Sequence, residues 1–125
     1  MTARAPIVVA PAAFAGTLRA PEVATALARG LEAGGWPVDP CPIADGGDGT
    51  LDVLLPALGG EPAVVSAGGR ELPAGLVDGG ATALVELRAA LADDTASSAA
   101  VGELLLAADA TGAETVIAGA GDLVA

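Results

Sequence analysis

Residues 38–58 read VDPCPIADGGDGTLDVLLPAL, and this stretch is the most informative part of the sequence for the fold. Its first part, 38–43, is apolar at alternate positions and carries Pro40 and Pro42, which predicts an edge strand or an extended approach to a loop. Glycine and aspartate fill the loop that follows, and leucines at helical spacing come after it. Thr50 is predicted to cap this helix, which ends at a pair of glycines. The stretch therefore predicts a strand, a loop and a helix in that order.

The residues before this stretch predict another strand and another helix. A short apolar run at 7–10, closed by a proline, is typical of a strand that is buried on both faces, as in a parallel sheet. The segment 20–31 has a proline and a glutamate in its first turn. Its stripe of Val23, Leu27 and Leu31 predicts a helix that is buried along that side.

The residues after the stretch predict a β-rich region, then a helix and a strand. Asp78-Gly79-Gly80 between apolar runs is a hairpin signal, and Ser98 is predicted to cap a helix. The predicted strands are 63–66, 71–76, 82–87 and 115–118, the predicted helix is 99–110, and a loop is expected at 92–97.

These elements together predict an α/β fold. We expect three layers, with a mostly parallel sheet, flanking helices and a short β-hairpin region. Residues 1–60 are predicted to form a Rossmann-like α/β segment, 61–90 a β-rich segment, and 91–125 a helix and a strand that lead to a glycine loop.

Charge and composition exclude several classes of function. The net charge is −11, and the basic residues are five arginines with no lysine and no histidine. Nucleic acid is therefore not expected as a partner, and Cys-His or Ser-His-Asp nucleophiles and histidine-ligated zinc are ruled out. We expect no membrane span, no signal peptide and no internal disulfide, since Cys41 is the single cysteine. We therefore expect the protein to be cytoplasmic and to bind a small molecule.

The glycines and aspartates at 45–49 predict a ligand site. Glycines let a ligand approach the backbone closely, and the amide groups that begin the following helix are expected to be free for a small carboxylate or phosphate. Asp45 and Asp48 can accept hydrogen bonds from hydroxyl groups or hold Mg²⁺, and they are the first candidates for acid–base chemistry. The alternative is a plain tight connection. Arg19, at the head of the first helix, is either an anion clamp or a solvated surface charge.

Several motifs resemble the opening of bacterial glycerate kinases of the two-domain family. Residues 7–11 and 14–18 resemble a first strand followed by the family string APDSFKGSL, and residues 42–50 resemble PMADGGEGT. Further along, 82–87 is similar to the family strand TAVIEM and 101–104 to the helix VGELI. The resemblance implies a partial glycerate kinase fold, in which the β-rich segment corresponds to the start of the second domain of the family.

The resemblance also implies an activity and a set of site residues. The activity is transfer of the γ-phosphoryl group of ATP to a hydroxyl group of glycerate, with Mg²⁺, giving a phosphoglycerate. The ligands of the metal stay open. The implied residues are Asp45 and Asp48 for catalysis, Gly46, Gly47, Gly49, Thr50 and Arg19 for the substrate, and Gly119 and Gly121 for the nucleotide. For Gly119 and Gly121 the alternative is a plain turn.

The chain departs from the family strings in two places. Ala12, Ala13 and Ala15 stand where family members usually carry Asp, Ser and Lys, and the chain stops soon after Gly121, where the family continues into a GGSATNDGG loop. We therefore expect an N-terminal portion of a family chain that needs a second copy or a completing chain. The alternatives are an inactive remnant or small-acid binding module, and a structural domain that associates with another chain.

Overall fold

The computed structural model describes residues 3–14, 16–91 and 97–121. They form two compact units, Met1–Ala44 and Asp45–Ala125. Both contain helices and strands, so the predicted α/β class is confirmed. The elements are β1 (Ile7–Val9), α1 (Ala20–Ala33), β2 (Val38–Pro40), α2 (Thr50–Leu58), β3 (Glu61–Ala67), β4 (Arg70–Val77), a 3₁₀ turn (Asp78–Gly80), β5 (Thr82–Glu86), α3 (Leu87–Ala90), α4 (Ser98–Asp109) and β6 (Thr115–Gly119).

In the first unit, β1 and β2 pair in parallel, and α1 connects them. The predicted burial of β1 on both faces is wrong, because Val8 is 60% exposed whereas Val9 is 6% exposed. Neighbouring side chains of a strand point to opposite faces, and α1 is the helix of this unit that packs against the two strands. β1 is therefore buried on one side.

Helix α1 begins at Ala20 as predicted and extends beyond the predicted end, to Ala33. Its buried face differs from the predicted stripe, because Leu27 is 49% exposed. The buried residues are mostly small, and alanine lets the helix backbone come close to the strands. They are Ala20, Val23, Ala24 and Ala28.

In the second unit, four strands form one sheet in the order β3-β4-β5-β6. The antiparallel hairpin β3-β4 turns at Gly68-Gly69, both with positive φ, and β4-β5 turns at the predicted Asp78–Gly80. β5 and β6 are parallel. The predicted hairpin region is confirmed, and it supplies the antiparallel pairs while β1-β2 and β5-β6 supply the parallel ones.

Two helices cover the two faces of this sheet. α4 packs on the face that carries Val85, through Leu104 and Ala108, and α2 packs on the face that carries Leu84, through Leu51. Adjacent residues of β5 thus point to different helices, as the pleat requires. The core is built of small side chains, in agreement with the aromatic-poor composition.

The cap of α4 differs from the predicted one by one residue. Ser97, not Ser98, caps α4, because its Oγ accepts the N–H of Ala100 at 3.3 Å. The predicted loop at 92–97 falls largely outside the described residues. Among the residues that are described, no helix combines the length and the apolar character that crossing a membrane requires.

Candidate functional site

The acidic loop, Asp45 to Gly49, lies within the second unit and leads directly into α2. Gly46 and Gly49 have φ of +89° and +88°, in the left-handed region that glycine adopts without strain. Asp45 Oδ1 accepts the N–H of Gly47 at 2.9 Å, which closes the first turn of the loop. Asp45 and Asp48 are exposed, whereas Gly47 between them is buried. The loop therefore presents two carboxylates to solvent on a hydrogen-bonded backbone.

Thr50 does not cap α2, contrary to the sequence-based expectation. The cap position belongs to Gly49, and Thr50 is the first helical residue. Its buried hydroxyl donates a hydrogen bond to the carbonyl oxygen of Gly47 at 2.7 Å. A threonine hydroxyl can accept from the helix only when its own residue is outside the helix. Thr50 instead ties the end of the acidic loop to its middle.

Glu86 is a site residue that the sequence did not single out. It is the last residue of β5 and is 6% exposed. Its Oε1 accepts the N–H of Leu51, in the first turn of α2, at 2.8 Å. The signals in the sequence are a carboxylate at the end of an otherwise apolar strand and the similarity of 82–87 to the family strand TAVIEM. The distance of this acid from the loop along the chain concealed its role.

The surroundings of Glu86 raise its pKa above the ordinary value of 4.5. Burial is the largest cause, because it disfavours the charged form, and repulsion from Asp48 and Asp52 adds to it. The hydrogen bonds from Leu51 and Gly49 act in the opposite direction. The start of α2 is thus surrounded by carboxylates, and its electrostatic environment favours cations and hydrogen-bond donors.

The acidic loop also touches the glycine residues that follow β6. A Cβ atom built on Gly119 would overlap the carbonyl group of Gly46, and one on Gly121 would overlap the backbone of Gly47. These glycines are therefore required by close backbone packing. The structure brings together the predicted substrate residues Gly46 and Gly47 and the predicted nucleotide residues; the roles of all four stay predictions.

Arg19 belongs to the first unit, where it is exposed and directly precedes α1. Its backbone N–H donates to Glu22 Oε2 at 2.9 Å, which satisfies one of the amide groups at the start of that helix. The proposed function of its side chain as an anion clamp stays a prediction.

The described residues contain no group of three or more acidic, histidine or cysteine side chains arranged to hold a metal ion. Mg²⁺ is commonly bound through one or two carboxylates together with water and substrate phosphates. Asp45 and Asp48 have the right ligand chemistry for that mode, because both are exposed carboxylates on one loop. Mg²⁺ therefore fits here as an ion carried by phosphate.

The site lies at the carboxyl ends of β5 and β6 in the sheet of the second unit. β5 and β6 run in parallel, and Glu86 is paired with Gly119 where both strands end. In α/β proteins, ligands bind outside the carboxyl ends of parallel strands. Fold and site together define an α/β protein with an acidic, glycine-rich site of the kind that receives small molecules.

Comparison with known proteins identifies the family. A family model described as the glycerate kinase family matches residues 7–124, so this chain belongs to the glycerate kinase family. A crystal structure described as that of "putative glycerate kinase 2 from Salmonella typhimurium LT2" is similar, with 30% sequence identity and a TM-score of 0.68. The match covers 91% of this chain and 35% of that chain. The search of curated proteins finds no match.

Proposed function

We propose that this chain provides the acidic-loop part of a site in which ATP phosphorylates glycerate. The observation that carries the proposal is the position of the loop, whose exposed Asp45 and Asp48 lie beside the carboxyl ends of β5 and β6. Family membership supplies the reaction class, and the loop supplies carboxylates of the type that a polyhydroxy acid requires. The expected compartment remains the cytoplasm.

In the proposed reaction the carboxylates act on the hydroxyl group of the substrate. Asp45 or Asp48 accepts a hydrogen bond from that hydroxyl and takes its proton as the oxygen attacks the γ-phosphorus of ATP. The bond between the γ-phosphorus and the bridging oxygen breaks, and ADP leaves. The Asp45 carboxylate is oriented by its hydrogen bond from the N–H of Gly47, and an oriented carboxylate positions the substrate hydroxyl before it reacts.

The nucleotide needs positive charge that the acidic loop does not have. No arginine, lysine or histidine occurs between residues 45 and 69, so a bare phosphate would be repelled there. Mg²⁺ bound to the phosphates and held by Asp45 or Asp48 would neutralise this charge. Gly119 and Gly121 stay the proposed nucleotide residues, and Arg19 stays a proposed anion clamp for the substrate.

One observation favours a second candidate function, a module that binds a small hydroxy acid without turnover. Ala12 and Ala13 follow β1 with methyl side chains, and neither can ligate a metal or donate to phosphate. The third alanine of that motif, Ala15, lies outside the described residues. Since the chain spans 35% of the length of the similar structure, association with a second copy or a completing chain is part of both candidates.

An assay of ADP release by the purified chain with Mg-ATP and D-glycerate tests the proposal. We expect release that depends on glycerate, and Asp48→Asn should lower it by about 100-fold, the usual contribution of a general base. Asp109→Asn is the matched control, because Asp109 is an exposed aspartate at the end of α4. Release that Asp48→Asn leaves unchanged would contradict the assigned role.

Calorimetric titration with D-glycerate separates the two candidates. Binding without ADP release identifies the module, and Asp45→Asn and Asp48→Asn should then weaken binding. Absence of both binding and release by the purified chain would refute both candidates for the chain on its own.

A further inference from the structure

Glu86 occupies the position at which a glycine loop before a helix would ordinarily receive an anion. We propose that Glu86 sets the ligand preference of the acidic loop, because it takes the amide donors at the start of α2 and so excludes anions there. The loop is then left to hydroxyl groups and cations. This inference deepens the proposed function and rests on it for its catalytic meaning.

Backbone N–H groups at the start of α2 already have hydrogen-bond acceptors within the protein. The N–H of Leu51 donates to Glu86 Oε1 at 2.8 Å. The N–H of Thr50 donates to the carbonyl oxygen of Gly47 at 3.2 Å, and that of Gly47 donates to Asp45. A helix N-terminus binds an anion through such amides when they are not engaged. Here the N–H groups of Gly47, Thr50 and Leu51 are engaged, so the sequence-based expectation of free amide groups is wrong for these three.

The negative charge around the start of α2 also disfavours an anion there. Asp48 and Asp52 lie close enough to raise the pKa of Glu86, and the loop and α2 contain no basic residue. An anion at the start of α2 would meet these three carboxylates at short range. In a partly buried site such repulsion is screened less than in bulk water.

A glutamine at position 86 could accept the N–H of Leu51, as Glu86 does, without a buried charge. The raised pKa means that the charged form of Glu86 costs folding free energy. The negative charge is therefore not needed to cap α2, and its distinct effect is on what can bind next to it.

The test uses the full 125-residue chain, with inorganic phosphate as the probe and amide chemical shifts as the readout. In the wild type, phosphate should leave the amide signals of Gly49 and Leu51 unchanged. In Glu86→Ala, which frees the N–H of Leu51, phosphate should shift these signals and bind about tenfold more tightly, as for an anion at a partly buried helix N-terminus. Asp109→Asn controls for loss of one negative charge elsewhere in the chain.

Glu86→Gln separates donors from charge, because it keeps an acceptor for Leu51 and removes the charge. We expect a gain in phosphate affinity that is smaller than in Glu86→Ala. If Glu86→Ala does not fold, Glu86→Gln decides: a gain over the wild type and over Asp109→Asn supports the inference, and no gain overturns it. Phosphate shifts at Gly49 and Leu51 in the wild type equal to those in the variants also overturn it.

The outcome is independent of the kinase assay. The phosphate titration needs neither ATP nor glycerate, so a wild-type chain that fails to bind glycerate would contradict the proposed function alone. A chain that releases ADP but binds phosphate at Leu51 would contradict the role of Glu86 alone.

Discussion

Helices α1 and α2 begin in different ways. At the start of α1 the backbone N–H of Arg19 is bound by Glu22, three residues away. At the start of α2 the N–H of Leu51 is bound by Glu86, 35 residues away on the end of a strand. The first arrangement is local, and the second joins a helix, a loop and a sheet edge. Two helix starts in one chain can thus differ in what they leave for a ligand.

Helix α4 shows the local arrangement again, within the same unit as α2. Ser97 Oγ accepts the N–H of Ala100, and both residues belong to one turn. Local caps of this kind stabilise the helix that they begin. The cap by Glu86 instead joins the first turn of α2, which follows the acidic loop, to the end of β5.

The largest effect is expected where the acidic loop meets the glycines after β6. Gly119→Ala would place a methyl group on the carbonyl group of Gly46, and neither backbone can yield freely. We expect a loss of about 3 kcal/mol in the free energy of unfolding, measured by urea denaturation. Gly102→Ala is the control: Gly102 lies in α4 with nothing within 4 Å of the added methyl group, and about 1 kcal/mol should be gained. Equal effects of the two substitutions would show that the loop contact is unimportant.

A medium effect is expected from removal of the local cap. Ser97→Ala should cost about 1 kcal/mol, because the N–H of Ala100 loses its acceptor. Hydrogen exchange should accelerate in the first turn of α4 and stay unchanged at Gly49 and Leu51. If exchange also accelerates at Leu51, the contrast between local and long-range caps does not hold.

The smallest effect is a pH dependence of the long-range cap. Since the pKa of Glu86 is raised in the folded state, its contribution to stability is complete below the unfolded pKa and is lost as pH rises through the folded pKa. The melting temperature of Glu86→Gln minus that of the wild type should therefore increase from pH 4 to pH 7, followed by circular dichroism. A difference for Glu86→Gln that shrinks with rising pH would contradict the raised pKa.

Much of the fold was predictable because its signals are local. The hairpin at Asp78–Gly80 follows from turn chemistry, and the end of α2 at Leu58 follows from leucine spacing and the glycines after it. The buried faces were harder to predict. Leu27 is apolar yet exposed, because burial depends on which elements pack against α1 and not on hydrophobicity alone.

The site was predictable in part. The pattern of aspartate and glycine identified the acidic loop, because these residue types are needed wherever a loop must turn tightly and present carboxylates. Gly119 and Gly121 were noticed as a loop of their own, but their contact with Gly46 and Gly47 depends on the placement of β6 beside β5. Glu86 was not identified from the sequence because its hydrogen-bond partner, Leu51, lies 35 residues away along the chain.

The sequence by itself determined the α/β class, the acidic loop and the family resemblance, since each rests on residues that are neighbours along the chain. Only the tertiary structure decided that Glu86 closes the start of α2 and that the two glycine segments lie against each other. The physical reason is that parallel pairing of β5 with β6 brings their carboxyl ends together. A contact over 35 residues leaves no periodic or local trace in the sequence.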